Sequence, residues 1–291
     1  MTPLIEAADL KALTPGTYTL IDARGFGNSR ERYEQGHLPG ALYVDLEQLA
    51  AHPEDAAVGG RHPLPAAAEF AGLLGSLGMT PDSHVIVYDD KAAANPAARF
   101  WWMLKAIGHS QVQVLNGGLQ AAIDAGMEVT TDLTAEPQAT TYPVPAGFDG
   151  TVTIEEVMEA AKDPARMVID VRETPRYNGD TEPLDLVAGH IPGAVNIPYL
   201  TNLAGGKYRP AEELADQYEQ ALGKVAPEKV IVHCGSGVTA CHTLLALEQA
   251  GIKGAKLYVG SWSEWSRRDL PVGKVSPDTG ERTETPPAEK K

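Results

Sequence analysis

The residues best placed to do chemistry lie in Val230-Ile-Val-His-Cys-Gly-Ser-Gly-Val-Thr-Ala240. Three β-branched residues read as a buried strand, and the run from Ala240 to Gln249 reads as a helix that closes at Gly251. Between them stands Cys234, followed by Gly235 and Gly237. A strand that ends in a tight glycine-bearing loop ahead of a helix turns backbone N–H groups toward the loop's centre, and the helix dipole adds to their field. Such a cradle holds an anion, and the anionic form of a cysteine is its nucleophilic form. Cys234 is therefore the candidate nucleophile. Gly235, Gly237 and Val238 offer backbone N–H groups to a bound anion, and Ser236 and Thr239 add hydroxyls.

The elements that must position this loop occur twice. Leu20-Ile-Asp-Ala-Arg24 recurs as Val168-Ile-Asp-Val-Arg172, and Gly36-His-Leu-Pro-Gly-Ala41 recurs as Gly189-His-Ile-Pro-Gly-Ala194. Val85-Ile-Val-Tyr-Asp89 recurs as Val230-Ile-Val-His-Cys234, and Val114-Leu-Asn-Gly-Gly118 matches Tyr258-Val-Gly-Ser-Trp262 more loosely. The order is kept and only loop lengths differ. A repeat this long is no solenoid unit, so it means two domains of one fold. Strands are expected at 19–22, 85–88 and 112–115 with helices at 66–77 and 96–107, then strands at 167–170, 230–233 and 255–259 with helices at 211–222 and 240–250. That alternation indicates an α/β fold, each half a mostly parallel sheet with helices on both faces. The halves are expected over 1–130 and 151–275, joined by a linker over 131–150 that holds three prolines. A tail over 276–291 is too polar to bury a core and is expected to be disordered. Ligands of such sheets bind beyond the carboxyl ends of the strands, where Cys234 sits. Asp89 stands at the matching point of the first half, which leaves that copy without a nucleophile.

Composition narrows the partners. At 291 residues and 43% hydrophobic content the chain can build cores for two domains. A formal net charge of −15 argues against nucleic acid or an anionic membrane, both of which demand a basic face. A small anionic substrate then needs a local positive patch. Met1-Thr-Pro-Leu-Ile-Glu6 does not read as a signal peptide, and no apolar run approaches the roughly 20 residues of a membrane-spanning helix. Two cysteines, Cys234 and Cys241, are too few for a disulfide scaffold and fit a reducing cytoplasm. Cys241 lies among apolar neighbours and reads as a core residue. The histidines form no metal cluster and the glycines no nucleotide fingerprint, so no metal or cofactor is expected.

The tandem halves, the two Gly-His-Leu/Ile-Pro-Gly-Ala turns, the Cys-Gly-Ser-Gly-Val-Thr loop and Gly260-Ser-Trp-Ser-Glu-Trp265 together resemble the two-domain rhodanese-family sulfurtransferases, over roughly residues 5–272. The resemblance implies an inactive first domain and a Cys234 that accepts a sulfur atom as a persulfide and hands it to a thiol or cyanide in a second half-reaction. The acceptor thiol could belong to a thioredoxin-like protein or a low-molecular-weight thiol. The loop sequence is similar to that of the branch preferring 3-mercaptopyruvate, whereas the thiosulfate-preferring branch has an Arg-Lys pair after the cysteine. Thiosulfate remains the alternative donor, and a persulfide carrier without turnover the alternative role. A cysteine phosphatase uses a similar cradle but needs an arginine six positions after the cysteine, and position 240 is alanine.

The same resemblance implies further site residues. Arg176, in Thr174-Pro-Arg-Tyr-Asn-Gly179, matches an arginine that holds the donor's anionic group, as guanidinium can by paired hydrogen bonds. The first half shows no clear counterpart for it. A second arginine a little downstream, found in animal mercaptopyruvate enzymes, is missing from Thr181-Glu-Pro-Leu-Asp185. His62, in Gly60-Arg-His-Pro-Leu-Pro65, is expected to relay a proton with Ser236 and an upstream acid, Glu47 or Asp45. Arg61 is a further source of local positive charge. Asp170 and Arg172 carry two readings, as substrate-binding residues near the active loop or as an ion pair at a strand end mirrored by Asp22 and Arg24. His37 and His190 recur in both halves and so read as turn builders, and Trp262 and Trp265 as packing residues.

Overall fold

The computed structural model describes residues 1–94, 96–276 and 279–285. It divides into two compact units: one comprises Met1–Ala51, Leu64–Asp149 and Ala204–Arg209, the other His52–Pro63, Gly150–Leu203 and Pro210–Lys291. The contiguous halves expected from the repeat are thus modified by two exchanges. The stretch carrying Arg61 and His62 belongs to the unit of Cys234, and a short segment of the second half belongs to the first unit.

In the first unit five parallel strands stand in the order Leu4–Ile5, Val112–Leu115, Val85–Tyr88, Thr19–Asp22, Leu42–Tyr43. All four residues of Val85–Tyr88 are buried, as expected for a strand covered on both faces. Helix Pro96–Ala106 packs on that strand and on Val112–Leu115. The stretch expected to be a linker is largely exposed but is tied to this unit at several points. Thr140 N–H bonds Gly75 O at 2.9 Å, the Tyr142 hydroxyl meets His109 Nδ1 at 2.9 Å, and Asp149 N–H bonds Ala106 O at 2.9 Å.

In the second unit four parallel strands stand in the order Lys256–Leu257, Val230–His233, Met167–Asp170, Val195–Asn196. The register pairs His233 with Asp170, which puts the ends of the two strands side by side. Helix Ala240–Gln249 follows the cysteine loop and closes with Gly251 N–H on Glu248 O and Ile252 N–H on Leu247 O, the paired bonds of a Schellman ending. Val168 and Ile231 share a core with Val157, Ile191, Tyr258 and Trp262. Most strands missed by periodicity are two residues long, too short to show an alternation, and the four-residue strands Val272–Val275 and Arg282–Thr285 were missed as well. The tail also departs from expectation: Arg282–Thr285 pairs antiparallel with Val272–Val275. Residues 277, 278 and 286–291, to which the expectation of disorder also applied, lie outside the described residues.

The repeated turns are built alike. His37 stacks on Tyr33 at 3.8 Å and its Nδ1 lies 2.8 Å from Tyr33 O, while His190 stacks on Tyr177 at 3.9 Å with Nδ1 2.8 Å from Tyr177 O. Each tyrosine hydroxyl donates to the alanine carbonyl that ends its turn, Ala41 or Ala194. A histidine that makes the same bonds in both copies is a structural residue.

Candidate active site

Cys234 begins the loop at the carboxyl end of strand Val230–His233 and is 3% exposed. Its backbone is held from the following segment: Cys234 N–H bonds the Ser261 hydroxyl at 3.2 Å, Trp262 N–H bonds Cys234 O at 3.1 Å, and Ser263 N–H bonds Gly235 O at 2.8 Å. Ser261 makes its bond from the left-handed region, at φ 52°, and donates in turn to Tyr258 O. Gly237 has φ 75°, and a β-carbon there would stand 2.5 Å from Val259 O, so only glycine fits. Among the described residues no hydrogen bond closes on the N–H groups of Gly235, Ser236 or Val238. Those donors face a loop whose first side chain is a cysteine. Cys241 is fully buried, with Sγ 3.4 Å from Gly237 O.

His62 reaches this loop. Its Nδ1 lies 2.8 Å from Ser236 Oγ. The Gly59–His62 segment is seated by Glu264, whose Oε1 accepts from Gly59 N–H at 3.1 Å, and by Ser263, whose Oγ accepts from Arg61 N–H at 3.1 Å. A β-carbon on Gly60 would stand 2.4 Å from Gly260 O, so the approach needs glycine. Ser261, Ser263 and Glu264 were not singled out from the sequence. Their signal was the motif Gly260-Ser-Trp-Ser-Glu-Trp265, which carried the family resemblance and in which only Trp262 and Trp265 were given a role, as packing residues. Glu47 and Asp45 belong to the other unit. Asp45 caps the turn Leu46–Leu49 and accepts from Ser29 and Tyr43, and Glu47 is exposed on that turn.

Asp170 and Arg172 form a buried pair. Arg172 Nη2 donates to Asp170 Oδ2 at 2.6 Å and to Gly189 O at 2.7 Å, and Arg172 Nη1 to Glu182 at 3.1 Å. Its guanidinium lies 4.8 Å from the centre of the Trp262 ring. Burial works against the Asp170 carboxylate, but the charge and hydrogen bonds of Arg172 outweigh it and hold the carboxyl below its usual range. Burial pushes His233 down, so it stays neutral at physiological pH despite Asp170 nearby at 3.8 Å. Asp22 and Arg24 repeat the pair at 2.6 Å, with Arg24 donating to Gly36 O.

Arg176 does have a counterpart, contrary to the sequence reading. It precedes Tyr177 as Arg32 precedes Tyr33, and the two tyrosines hold equivalent turns. The offset was obscured because the two turns differ in length. Arg176 donates to Glu182 at 2.7 Å, and Arg61 lies 3.2 Å from Asp185. Both guanidiniums approach Gly235: a β-carbon there would stand 3.3 Å from Arg61 Nη2 and 3.5 Å from Arg176 Nη2. The arrangement can present a nucleophile, stabilise an anion beside it and exchange a proton through a hydroxyl and an imidazole. Among the described residues no group of three or more histidine, cysteine, aspartate or glutamate side chains could hold a metal ion, and no helix is long and apolar enough to cross a membrane.

Comparison with known proteins gives the family. The sequence model of the rhodanese-like domain matches twice, over residues 6–125 and 153–268. The chain is 39% identical to a probable 3-mercaptopyruvate sulfurtransferase of Pseudomonas aeruginosa, covering 83% of this chain and 86% of that protein. It is 37% identical to a thiosulfate sulfurtransferase of Gallus gallus, covering 86% and 85%. The crystal structure of a 3-mercaptopyruvate enzyme from Escherichia coli superposes with a TM-score of 0.75 at 33% identity, covering 91% of this chain and all of that one. With two domain matches in tandem and relatives aligned over most of their length, this chain belongs to the rhodanese family.

Proposed function

We propose that Cys234 is the sulfur carrier of this sulfurtransferase and that 3-mercaptopyruvate is its preferred donor. The observation that carries the reading is the 2.8 Å contact of His62 Nδ1 with Ser236 Oγ inside the cysteine loop. The Cys234 thiolate attacks the donor's sulfur. The S–S bond forms as the C–S bond breaks, and that electron pair leaves as pyruvate enolate. The enolate takes a proton from Ser236, which His62 replenishes. The donor's thiol proton is lost to solvent, leaving a persulfide whose charge the loop N–H groups stabilise. An acceptor thiolate, from a thioredoxin-like protein or a small thiol, or cyanide, then attacks the outer sulfur and regenerates the Cys234 thiolate.

Arg176 binds the donor's carboxylate. Asp170 and Arg172 act as positioning residues that fix the strand end, since their side chains are spent on one another, on Glu182 and on Gly189 O. The supply of a proton favours 3-mercaptopyruvate, because sulfite leaving from thiosulfate needs none. Thiosulfate is the second reading, favoured by the similarity to an enzyme named for that donor. Two free buried cysteines fit a reducing compartment such as the cytoplasm.

Intact-mass measurement after incubation with each donor tests the assignment. The protein gains one sulfur and Cys234→Ser gains none; gain by the variant, or no gain by the wild type, overturns it.

A further inference from the structure

Tyr88 and His233 end matching strands of the two sheets, and each is paired in register with the aspartate of the neighbouring strand, Asp22 or Asp170. Both are fully buried. The Tyr88 hydroxyl accepts from Leu38 N–H at 3.0 Å. It also faces the Asp22 carboxylate, and burial together with that charge pushes the hydroxyl well above its ordinary range.

Around His233 the same partners stand without a tyrosine hydroxyl. Gly189 O accepts from Arg172 as Gly36 O accepts from Arg24, so the repeated turns bring Ile191 to the place of Leu38. Ile191 is fully buried, and its N–H makes no hydrogen bond among the described residues. His233 Nε2 is likewise buried with no hydrogen bond among them, 3.8 Å from Asp170 Oδ2. The other ring nitrogen, Nδ1, lies 3.2 Å from Cys234 O, and a carbonyl only accepts, so Nδ1 carries the proton of the neutral ring. Nε2 is then an acceptor facing a carboxylate, and two acceptors repel unless a donor stands between them. An imidazole also ends short of where a tyrosine hydroxyl stands, by about the size of a water molecule.

We propose that a buried water molecule is bound among His233 Nε2, Asp170 Oδ2 and Ile191 N–H, and that through it His233 acts as a positioning residue for Cys234. Water suits the three groups because it donates twice, to the imidazole and to the carboxylate, and accepts from the amide. A hydroxyl, with its single proton, serves the two partners of Tyr88 but not these three. So held, the ring keeps Nδ1–H on the carbonyl of Cys234, which also accepts from Trp262 N–H at 3.1 Å. The backbone of the nucleophile is thereby tied to the buried Asp170–Arg172 pair through a solvent molecule whose place in the first unit is taken by a side chain. The kinetic consequence rests on the sulfurtransferase reading; the water site does not.

A high-resolution crystal structure of the whole protein, and nitrogen NMR of the protein with labelled histidines, test the site. The density shows an ordered water within hydrogen-bonding distance of all three groups. The His233 signals, identified by their loss in His233→Asn, are those of a neutral ring protonated at Nδ1. Absence of water density, or a proton on Nε2 at neutral pH, overturns the site. His233→Tyr, which supplies the hydroxyl, melts at least about 4 °C above His233→Phe, which leaves Ile191 N–H and Asp170 without it. Equal melting overturns the role given to the three groups; if either variant does not fold, density and NMR decide. His233→Phe lowers kcat for 3-mercaptopyruvate about tenfold with KM within about twofold, and His233→Asn, whose amide donates from where Nδ1 stands, recovers most of it. An unchanged kcat in folded His233→Phe overturns the positioning. If the wild type takes sulfur from neither donor, the sulfurtransferase reading fails instead, and density and NMR still decide the water site.

Discussion

At the end of strand Val85–Tyr88 the fully buried Asp89 turns its own carboxylate into its loop, where Oδ1 accepts from Lys91 N–H at 2.8 Å and Ala93 N–H at 2.9 Å. At the end of strand Val230–His233 the matching place is taken by Cys234, and Gly235, Ser236 and Val238 keep their N–H groups open. The next position differs in the same sense. Asp90 neutralises Arg32, whereas Gly235 leaves Arg176 open toward the loop. The framework around both loops is shared. Leu119 N–H bonds Asp89 O as Trp262 N–H bonds Cys234 O, so Gly118 corresponds to Ser261, one residue away from the loose sequence match. Their φ values agree, at 60° and 52°. In the first loop two carboxylates of the chain, Asp89 on the Lys91 and Ala93 N–H groups and Asp90 on Arg32, occupy the positions that Cys234 and Gly235 leave open in the second. That internal occupancy requires left-handed Ala92 and Ala93, at φ 52° and 63°, each costing on the order of 1 kcal/mol.

The largest test of this contrast copies the first loop into the second. Cys234→Asp is expected to fold and to lose sulfur transfer by more than about 10³-fold, measured as turnover with either donor. Retained turnover would show that the nucleophile lies elsewhere. His62→Gln is expected to lower kcat/KM for 3-mercaptopyruvate by about 10²-fold while thiosulfate falls less than about threefold. Equal losses would mean that the Ser236 contact is structural. Gly235→Asp places a carboxylate where Asp90 stands in the other copy and should raise donor KM by about tenfold, because it competes for the guanidiniums. In the opposite direction, Asp89→Ala strips the acceptor from two buried N–H groups. Chemical denaturation should show a loss of about 1–3 kcal/mol, with kcat unchanged within about twofold.

The smallest effect is on pH. Burial holds His233, His190 and His109 below the ordinary 6.5, so the folded chain binds fewer protons there than the unfolded chain. Their contribution is complete above pH 6.5 and is lost as pH falls through the folded values, at up to about 1.4 kcal/mol per histidine per pH unit. Asp170 and Glu182, held below 3.8 and 4.5 by Arg172 and Arg176, add a further loss only below those values. Melting temperature should therefore begin to drop near pH 6.5; a curve flat down to pH 5 would break the account.

The strands 19–22, 85–88, 112–115, 167–170 and 230–233 were legible residue by residue, since a strand buried on both faces must be a continuous apolar run. The cysteine loop, the repeated turns and the empty place of a nucleophile at Asp89 were legible for a related reason: each is a local pattern present twice, so the copies interpret each other. The contact of His62 with Ser236 was anticipated only through family resemblance, because 174 positions separate the two residues.

Other features needed the fold. The pairing of Arg32 with Arg176 was hidden by turns of unequal length. The move of residues 52–63 into the second unit was hidden because no local propensity encodes which sheet a loop joins. The pairing of Arg61 with Asp185 was hidden in the same way, since Arg61 arrives from more than a hundred residues upstream. Strand and helix type follow from side-chain periodicity along the chain and are fixed by sequence alone. The charge and reach of the site depend on which distant side chains share one buried carboxylate, and only tertiary packing decides that.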